Sequence, residues 1–171
     1  MIFIIPIIGV GGFLITLFLF FVLLPVIWGA PFLPISKEKI EKAIELVKLQ
    51  SGEKIVDLGS GDGRILIACA KKGGRGVGFE INPFLVWKAN LNIKKQGLQN
   101  LAKTKWSNFW WENLSDFDIV FVYGISHIMK TLEKKLLKEL KPGAKVVSFV
   151  FKFPNWQPEI EENGIYIYSL R

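Results

Sequence analysis

The sequence predicts an α/β fold: a mainly parallel sheet with helices on both faces and a compact C-terminal end, preceded by one transmembrane helix. Three observations lead there. From Ser36 onward, short apolar runs alternate with segments of helical period, the pattern of strands joined by crossover helices. A glycine-rich turn, Gly59-Ser60-Gly61-Asp62-Gly63, stands where the first apolar run hands over to a helix. From Met1 to Ser36, by contrast, there is no Asp, Glu, Lys, Arg or His.

Between Ile2 and Trp28 the only conventionally polar side chain is Thr16. As a helix this stretch would reach roughly 40 Å, more than the roughly 30 Å of bilayer hydrocarbon. Pro6 and Pro25 mark the ends of its regular part, and Trp28 suits a half-wet interfacial position. The rival is a cleaved signal peptide, which needs a basic start and a shorter apolar stretch; here Pro31 directly follows the small pair Gly29–Ala30. Residues 1–30 are therefore expected to be a membrane anchor in contact with lipid, and residues 31–171 a separate folded domain. Lys37, Lys39 and Lys42 follow the apolar segment, which by the positive-inside rule makes the chain a single-pass membrane protein with that domain on the cytoplasmic side.

Every charged side chain lies after Ser36, so that part carries the whole net charge of +7. Such a surface could rest against anionic head groups or be an ordinary basic soluble surface. No clustered Arg stripe is present, so nucleic acid is not expected as a partner. One cysteine, Cys69, and one histidine, His127, exclude a disulfide within the chain and a Cys/His zinc site in a monomer. No metal is expected.

The elements follow in order. Ser36 is an N-cap for a helix whose Ile40, Ala43, Ile44 and Val47 repeat at helical spacing. Lys54 to Leu58 reads as a buried strand, and after the glycine turn a helix runs from Arg64 to about Lys72, stopped by Gly73–Gly74. Arg75 to Glu80 is a second strand, and Asn82–Pro83 opens a helix that runs to Gly97. Strands follow near Lys103 to Ser107 and Asp118 to Tyr123. A helix from Ser126 to Leu140 then stops at Pro142–Gly143. Ala144 to Lys152 and Ile165 to Leu170 are the last strands. With so little chain left after Lys152, the hairpin that customarily closes such a sheet is expected to be cut short.

The chemistry is expected at the glycine turn, where small residues let the main chain approach a ligand closely. Asp57 stands two residues ahead of Gly59, and Asp62 lies inside the turn. Carboxylates there oppose the phosphates that a helix N-terminus would otherwise attract, and the spacing is Gly-x-Gly-x-Gly rather than that of a dinucleotide turn. An ammonium and a sulfonium, as carried by S-adenosylmethionine, suit the same carboxylates. Glu80, at the end of the next strand, is placed to accept hydrogen bonds from both ribose hydroxyls of a nucleoside. Asp57, Gly59, Ser60, Gly61, Asp62, Gly63 and Glu80 are thus candidate cofactor residues. Asn82 is an N-cap that could also touch ribose.

Several segments carry a resemblance to a known group. They are Pro31-Phe32-Leu33-Pro34, Asp57 to Ile65, Gly78-Phe79-Glu80-Ile81-Asn82-Pro83, Leu132 to Leu136, and Phe151-Lys152-Phe153-Pro154-Asn155-Trp156-Gln157-Pro158. The chain resembles the Rossmann-like class I methyltransferases. Within them it is similar to the membrane-anchored protein-lysine methyltransferases that act on the ATP synthase c-subunit and the adenine nucleotide translocase, and to small archaeal protein-lysine methyltransferases. The glycine motif is common to the superfamily, whereas Phe-Pro-x-Trp-x-Pro is more specific. The resemblance implies that Asp57, Gly59, Gly61 and Asp62 line the methionine end of the cofactor and that Glu80 holds its ribose. It implies too that Asn108 lies near the adenine edge and Phe109 covers the ring, although Asn108 could simply cap a loop. The implied acceptor is a lysine amine of a protein; a lipid amine, a quinone head group, or a cofactor-binding module without enzymatic activity are the rivals.

On the acceptor side, the Asn/Asp-Pro-Pro-Tyr/Phe loop of nucleic-acid amine methyltransferases is absent after the fourth strand, where the chain reads Val122-Tyr123-Gly124-Ile125-Ser126. Cys69 falls among Ile67, Ala68 and Ala70, which suits a packed thiol rather than the nucleophile of cytosine chemistry. Tyr123 is the first candidate for shaping an acceptor pocket, or else a core or rim tyrosine. His127 is a candidate proton acceptor or a structural residue of a helix start. Trp156, between Pro154 and Pro158, is a candidate wall of the substrate channel.

Overall fold

The computed structural model describes residues 34–171, together with Gly12 and Thr16. The elements are α1 (Lys37–Val47), β1 (Lys54–Leu58), α2 (Arg64–Lys71), β2 (Arg75–Glu80), α3 (Pro83–Lys95), β3 (Ala102–Trp106), a 3-10 turn (Phe109–Trp111), β4 (Ile119–Val122), α4 (Ser126–Glu139), β5 (Lys145–Phe149), β6 (Ile160–Glu162) and β7 (Ile165–Ser169). One sheet holds all seven strands in the order β3-β2-β1-β4-β5-β7-β6. β3, β2, β1, β4 and β5 run parallel, and β7 lies antiparallel to both β5 and β6.

Local chemistry sets the helix ends. The Ser36 hydroxyl accepts the Lys39 N–H at 3.3 Å to start α1, and Asn82 Oδ1 accepts from Phe84 and Leu85 to start α3, with Pro83 in its first turn. Successive strand residues then feed opposite faces. Ile55, Ile119, Phe121, Val147 and Phe149 pack under α1 and α2 with Ile40, Ile44 and Ile65. Val56, Leu58, Val120, Val122 and Val146 pack under α4 with Ile128, Met129, Leu132 and Leu136. The third helix joins the α2 side, where Ile93 and Ala102 meet Leu66 and Ala70.

Two expectations are corrected. The strand expected to run to Lys152 is shorter, since β5 ends at Phe149; the chain this frees forms a closing hairpin that is short, as expected, with a β6 of three residues. Asn163 (φ 48°) and Gly164 (φ 70°) connect β6 to β7, a two-residue turn with both central φ positive, so little chain is spent on it. The transmembrane helix expected over residues 1–30 falls outside the described residues. Among the described residues no helix is long and apolar enough to cross a membrane. The longest, α4, has 14 residues and the sequence SHIMKTLEKKLLKE; at 1.5 Å per residue it reaches about 21 Å, and lysines run along it. The described residues thus give no support to the assignment as a single-pass membrane protein with a cytoplasmic domain, nor to contact with lipid through such a helix.

Candidate functional site

The turn between β1 and α2 lies at the C-terminal end of the parallel strands, where ligands bind in open α/β sheets. Gly59, Gly61 and Gly63 have φ of 82°, 53° and 81°, a region that side chains with a Cβ avoid. The N–H groups of Gly59 and Ser60 both donate to the Phe79 carbonyl, at 2.9 and 3.1 Å, tying the turn to β2. A Cβ at Gly63 would stand 3.1 Å from Ala89 Cβ, so this glycine lets α2 start against α3. Gly59 differs: nothing lies within 4 Å of where its Cβ would be. The front of the turn is open there.

Glu80 is the organising acid. Its Oε2 accepts the Gly61 N–H and its Oε1 the Asn82 N–H, each at 2.9 Å. One carboxylate thereby joins the glycine turn to the start of α3, and about two of its four lone-pair positions remain. Burial pushes its pKa up, against the pull of the backbone N–H groups of Asn82, Gly61 and Ile81. Asp57 is 2% exposed, and among the described residues no group hydrogen-bonds its carboxylate. Burial first, then the charges of Glu80 and Asp62, push its pKa up to about 8. A buried carboxyl beside two like charges, with no cation against it among the described residues, is chemically suited to a positive ligand.

Asp62 already has a cation beside it. Its two oxygens hold Arg64 Nε and a terminal nitrogen at 2.9 and 2.8 Å, and that guanidinium holds the Asp62 pKa below the usual carboxylate range. The Asp62–Arg64 pair lines a cleft between α1, α2 and α3 of about 430 Å³. Ser60 is a packing residue: its Oγ is 3.3 Å from Thr104 Oγ1, and its side chain fills the space that Gly78 leaves.

Asn108 is buried and caps the 3-10 turn, its Oδ1 accepting the Trp110 N–H at 3.1 Å. Phe109 is 6% exposed and belongs to the core under α4. Tyr123 follows the Leu58–Val122 pair of β1 and β4, at the level of Gly59. It is half-buried against the α1 side of the sheet, with no partner for its hydroxyl among the described residues. His127 is exposed in the first turn of α4. Trp156 packs on Phe153 (5.8 Å between centroids) and Tyr168 (5.1 Å) on the α4 side. Tyr123 and Trp156 thus flank the strand ends from opposite faces. Cys69 is buried and its thiol is pushed up by burial, which leaves it a core residue.

Sequence reasoning missed two features of this edge. Val150, directly after β5, has φ 69°, and the Phe151 N–H donates to the Phe149 carbonyl at 2.8 Å across it. This is a γ-turn of the strained kind, and in a β-branched residue such a φ is exceptional. The Ser148 hydroxyl braces it by donating to the Phe151 carbonyl at 2.6 Å. Glu133 on α4, 3% exposed, accepts the Asn155 N–H at 2.9 Å and fixes the Phe-Pro-x-Trp-x-Pro segment to the body of the domain.

Comparison with known proteins adds independent findings. The model of the ANTKMT methyltransferase domain matches residues 57–160. The chain is 40% identical over 129 residues to the human lysine N-methyltransferase of the ATP synthase c-subunit, covering 75% of this chain and 55% of that protein. It is 34% identical over 131 residues to a protein-lysine N-methyltransferase of Saccharolobus islandicus, covering 75% of this chain and 81% of that one. Among solved structures, an RNA methyltransferase from Salinibacter ruber in complex with S-adenosyl-L-homocysteine superimposes with a TM-score of 0.75 at 33% identity, covering 81% of this chain and 92% of that one. The chain spans little more than half the length of the human relative.

Proposed function

The chain belongs to the ANTKMT methyltransferase domain family, and from that premise we propose that it transfers a methyl group from S-adenosylmethionine to a lysine side-chain amine of a protein. The observation that carries the reading is the pairing of Asp57 with Glu80 at an open glycine turn. Asp57, without a cation of its own, answers the positive charge of the cofactor. The free lone pairs of Glu80 answer ribose hydroxyls, and the Cβ-free front of Gly59 admits the ligand against the main chain. Asn82 and Asn108 flank this site, while Ser60 and Gly63 shape it from behind.

When bound, S-adenosylmethionine supplies a methyl group on a sulfonium, ready for in-line displacement. The chain's own residues have two tasks. They align the acceptor, and they favour its neutral amine, since a lysine amine in water has a pKa of about 10.4 and burial disfavours the charged form. Tyr123 and Trp156 flank the strand ends where that amine would enter, and the γ-turn at Val150 sets the rim between them. The protein-lysine relatives and the Phe-Pro-x-Trp-x-Pro segment favour protein as acceptor over a lipid amine or a quinone.

The likeness to an RNA methyltransferase favours a second reading, methylation of RNA. Cell extract incubated with the full chain and methyl-tritiated cofactor, then divided into protein, RNA and lipid fractions, separates the readings. Label in protein is expected; label confined to RNA or lipid would sink the lysine proposal.

A further inference from the structure

The stretch from Ile81 to Trp111 contains no Asp or Glu, yet it carries Lys88, Lys94, Lys95, Lys103 and Lys105. Three large apolar side chains are left outside on its helix: on α3, Phe84 is 63% exposed, Trp87 60% and Leu91 36%. Spacings of three and four residues put them on one helical face. Lys94 and Lys95 stand three and four residues beyond Leu91, so they continue the same stripe. The buried face of the helix, with Ala89 and Ile93, is already used against the sheet. Among the described residues, no ion pair engages Lys94, Lys95, Lys103 or Lys105.

The aromatic end of this stripe is built rather than loose. Phe84 and Trp87 pack on each other with centroids 5.7 Å apart and planes at 36°, which leaves no slot between them for a stacked base. Trp106, 69% exposed at the end of β3, donates its Nε1–H to the Ile81 carbonyl at 3.0 Å just ahead of α3. It adds a third large ring near the start of the helix. Single exposed apolar residues are ordinary on protein surfaces, but a row of them marks an interaction site.

We propose that the exposed face of α3 is a docking surface for an amphipathic helix of a partner protein, one whose apolar stripe runs into a cluster of Asp or Glu. Phe84, Trp87 and Leu91 take the apolar part, and Lys94 and Lys95 take the acidic end. The face passes lengthwise from apolar to basic over about three turns, roughly 16 Å at 1.5 Å per residue. A second helix laid along it meets both halves in register. A bilayer presents its apolar and charged regions as layers in depth, not side by side along one helix, so the lengthwise order favours a protein partner. The surface adjoins the Glu80–Asn82 end of the cofactor site, where α3 begins.

The test uses the full chain and labelled synthetic helical peptides, read by fluorescence anisotropy. One peptide has a leucine stripe ending in glutamates, and a second has the same stripe ending in lysines. The glutamate-ended peptide is expected to bind and the lysine-ended one not. Phe84→Ser with Trp87→Ser should weaken binding about tenfold or more, as the loss of aromatic anchors does. Lys94→Glu with Lys95→Glu should reverse the preference in favour of the lysine-ended peptide. That charge exchange keeps the helix intact and decides the matter even if the aromatic variant fails to fold. The proposal is overturned if the parent chain ignores the glutamate-ended peptide, if the charge exchange leaves the preference unchanged, or if phosphatidylglycerol vesicles or oligouridylate bind through Phe84 and Trp87 in preference to the peptide. Because the readout is binding, the outcome is separate from whether methyl transfer to protein takes place.

Discussion

Cofactor affinity should depend on pH through Asp57, and the size of the effect follows from its surroundings. With its pKa pushed up to about 8 by burial and by two neighbouring carboxylates, about one tenth of the free protein carries an ionised Asp57 at pH 7. A cationic ligand that requires the carboxylate then loses about 1.4 kcal/mol, or roughly tenfold in affinity, relative to the fully ionised site. Between pH 6 and pH 7 the dissociation constant should fall close to tenfold, and the gain should level off toward pH 8. Above that, the α-amino group of the ligand, with a pKa of roughly 7.7–8.0 in such compounds, loses its own charge. The informative window is therefore below pH 7.5. Titration calorimetry of the full chain in buffers of differing ionisation enthalpy should also register close to one proton released per ligand bound at pH 7. In Asp57→Asn both effects should vanish, leaving a flat and weaker profile. A parent protein whose affinity is flat from pH 6 to 7.5, with no proton released, would refute the reasoning.

Further expectations rest on other parts of the structure. The sign of the Asp57 shift predicts ligand-free stability: the folded form holds a proton that the unfolded chain releases near the ordinary value of 3.8. The contribution is thus fully present below that value and is lost as pH rises toward about 8, at up to roughly 1.4 kcal/mol per pH unit. Thermal denaturation should show the melting temperature falling over that range, and saturating cofactor restoring it most at the alkaline end. Glu80→Gln keeps the shape but removes the charge that accepts from Gly61 and Asn82; cofactor affinity should fall about tenfold to a hundredfold, on the scale of charged hydrogen bonds, while the circular dichroism spectrum keeps its helical signal. Gly63→Ala adds a Cβ at φ 81° and 3.1 Å from Ala89 Cβ, so urea denaturation should register a loss of about 1–2 kcal/mol. Val150→Gly relieves the γ-turn and should raise stability by about 0.5–1 kcal/mol; a loss in the same assay would mean that the turn is not strained.

Much of this architecture was legible in the sequence because periodicity and punctuation agreed. The strands from Lys54, Arg75 and Asp118 and the helices after Ser36, Gly63 and Asn82 each have an apolar face and a named boundary residue. β6 was missed because Ile160-Glu161-Glu162 is too short and too charged to read as a strand by itself. Its signal was nevertheless present in Asn163–Gly164, the dipeptide of a tight hairpin. In the site, residue type and spacing singled out Asp57 and Glu80, and both are buried beside the glycine turn. The pairing of Asp62 with Arg64 could not be read there, since both acids suit a cationic partner and nothing in the spacing tells which will find a guanidinium. The same holds for Phe109: an aromatic residue after a capping asparagine fits a lid or a core equally well, and its packing under α4 is visible only in the structure. The strain at Val150 left no trace, because nothing about a valine announces a positive φ.

The central claim is that this site moves a methyl group onto lysine. Protein labelled by the full chain with methyl-tritiated cofactor can be hydrolysed and its amino acids separated, with Glu80→Gln run alongside. The account predicts label co-eluting with Nε-methylated lysine and much reduced with the variant. Label on another residue, or equal labelling by parent and variant, would contradict it.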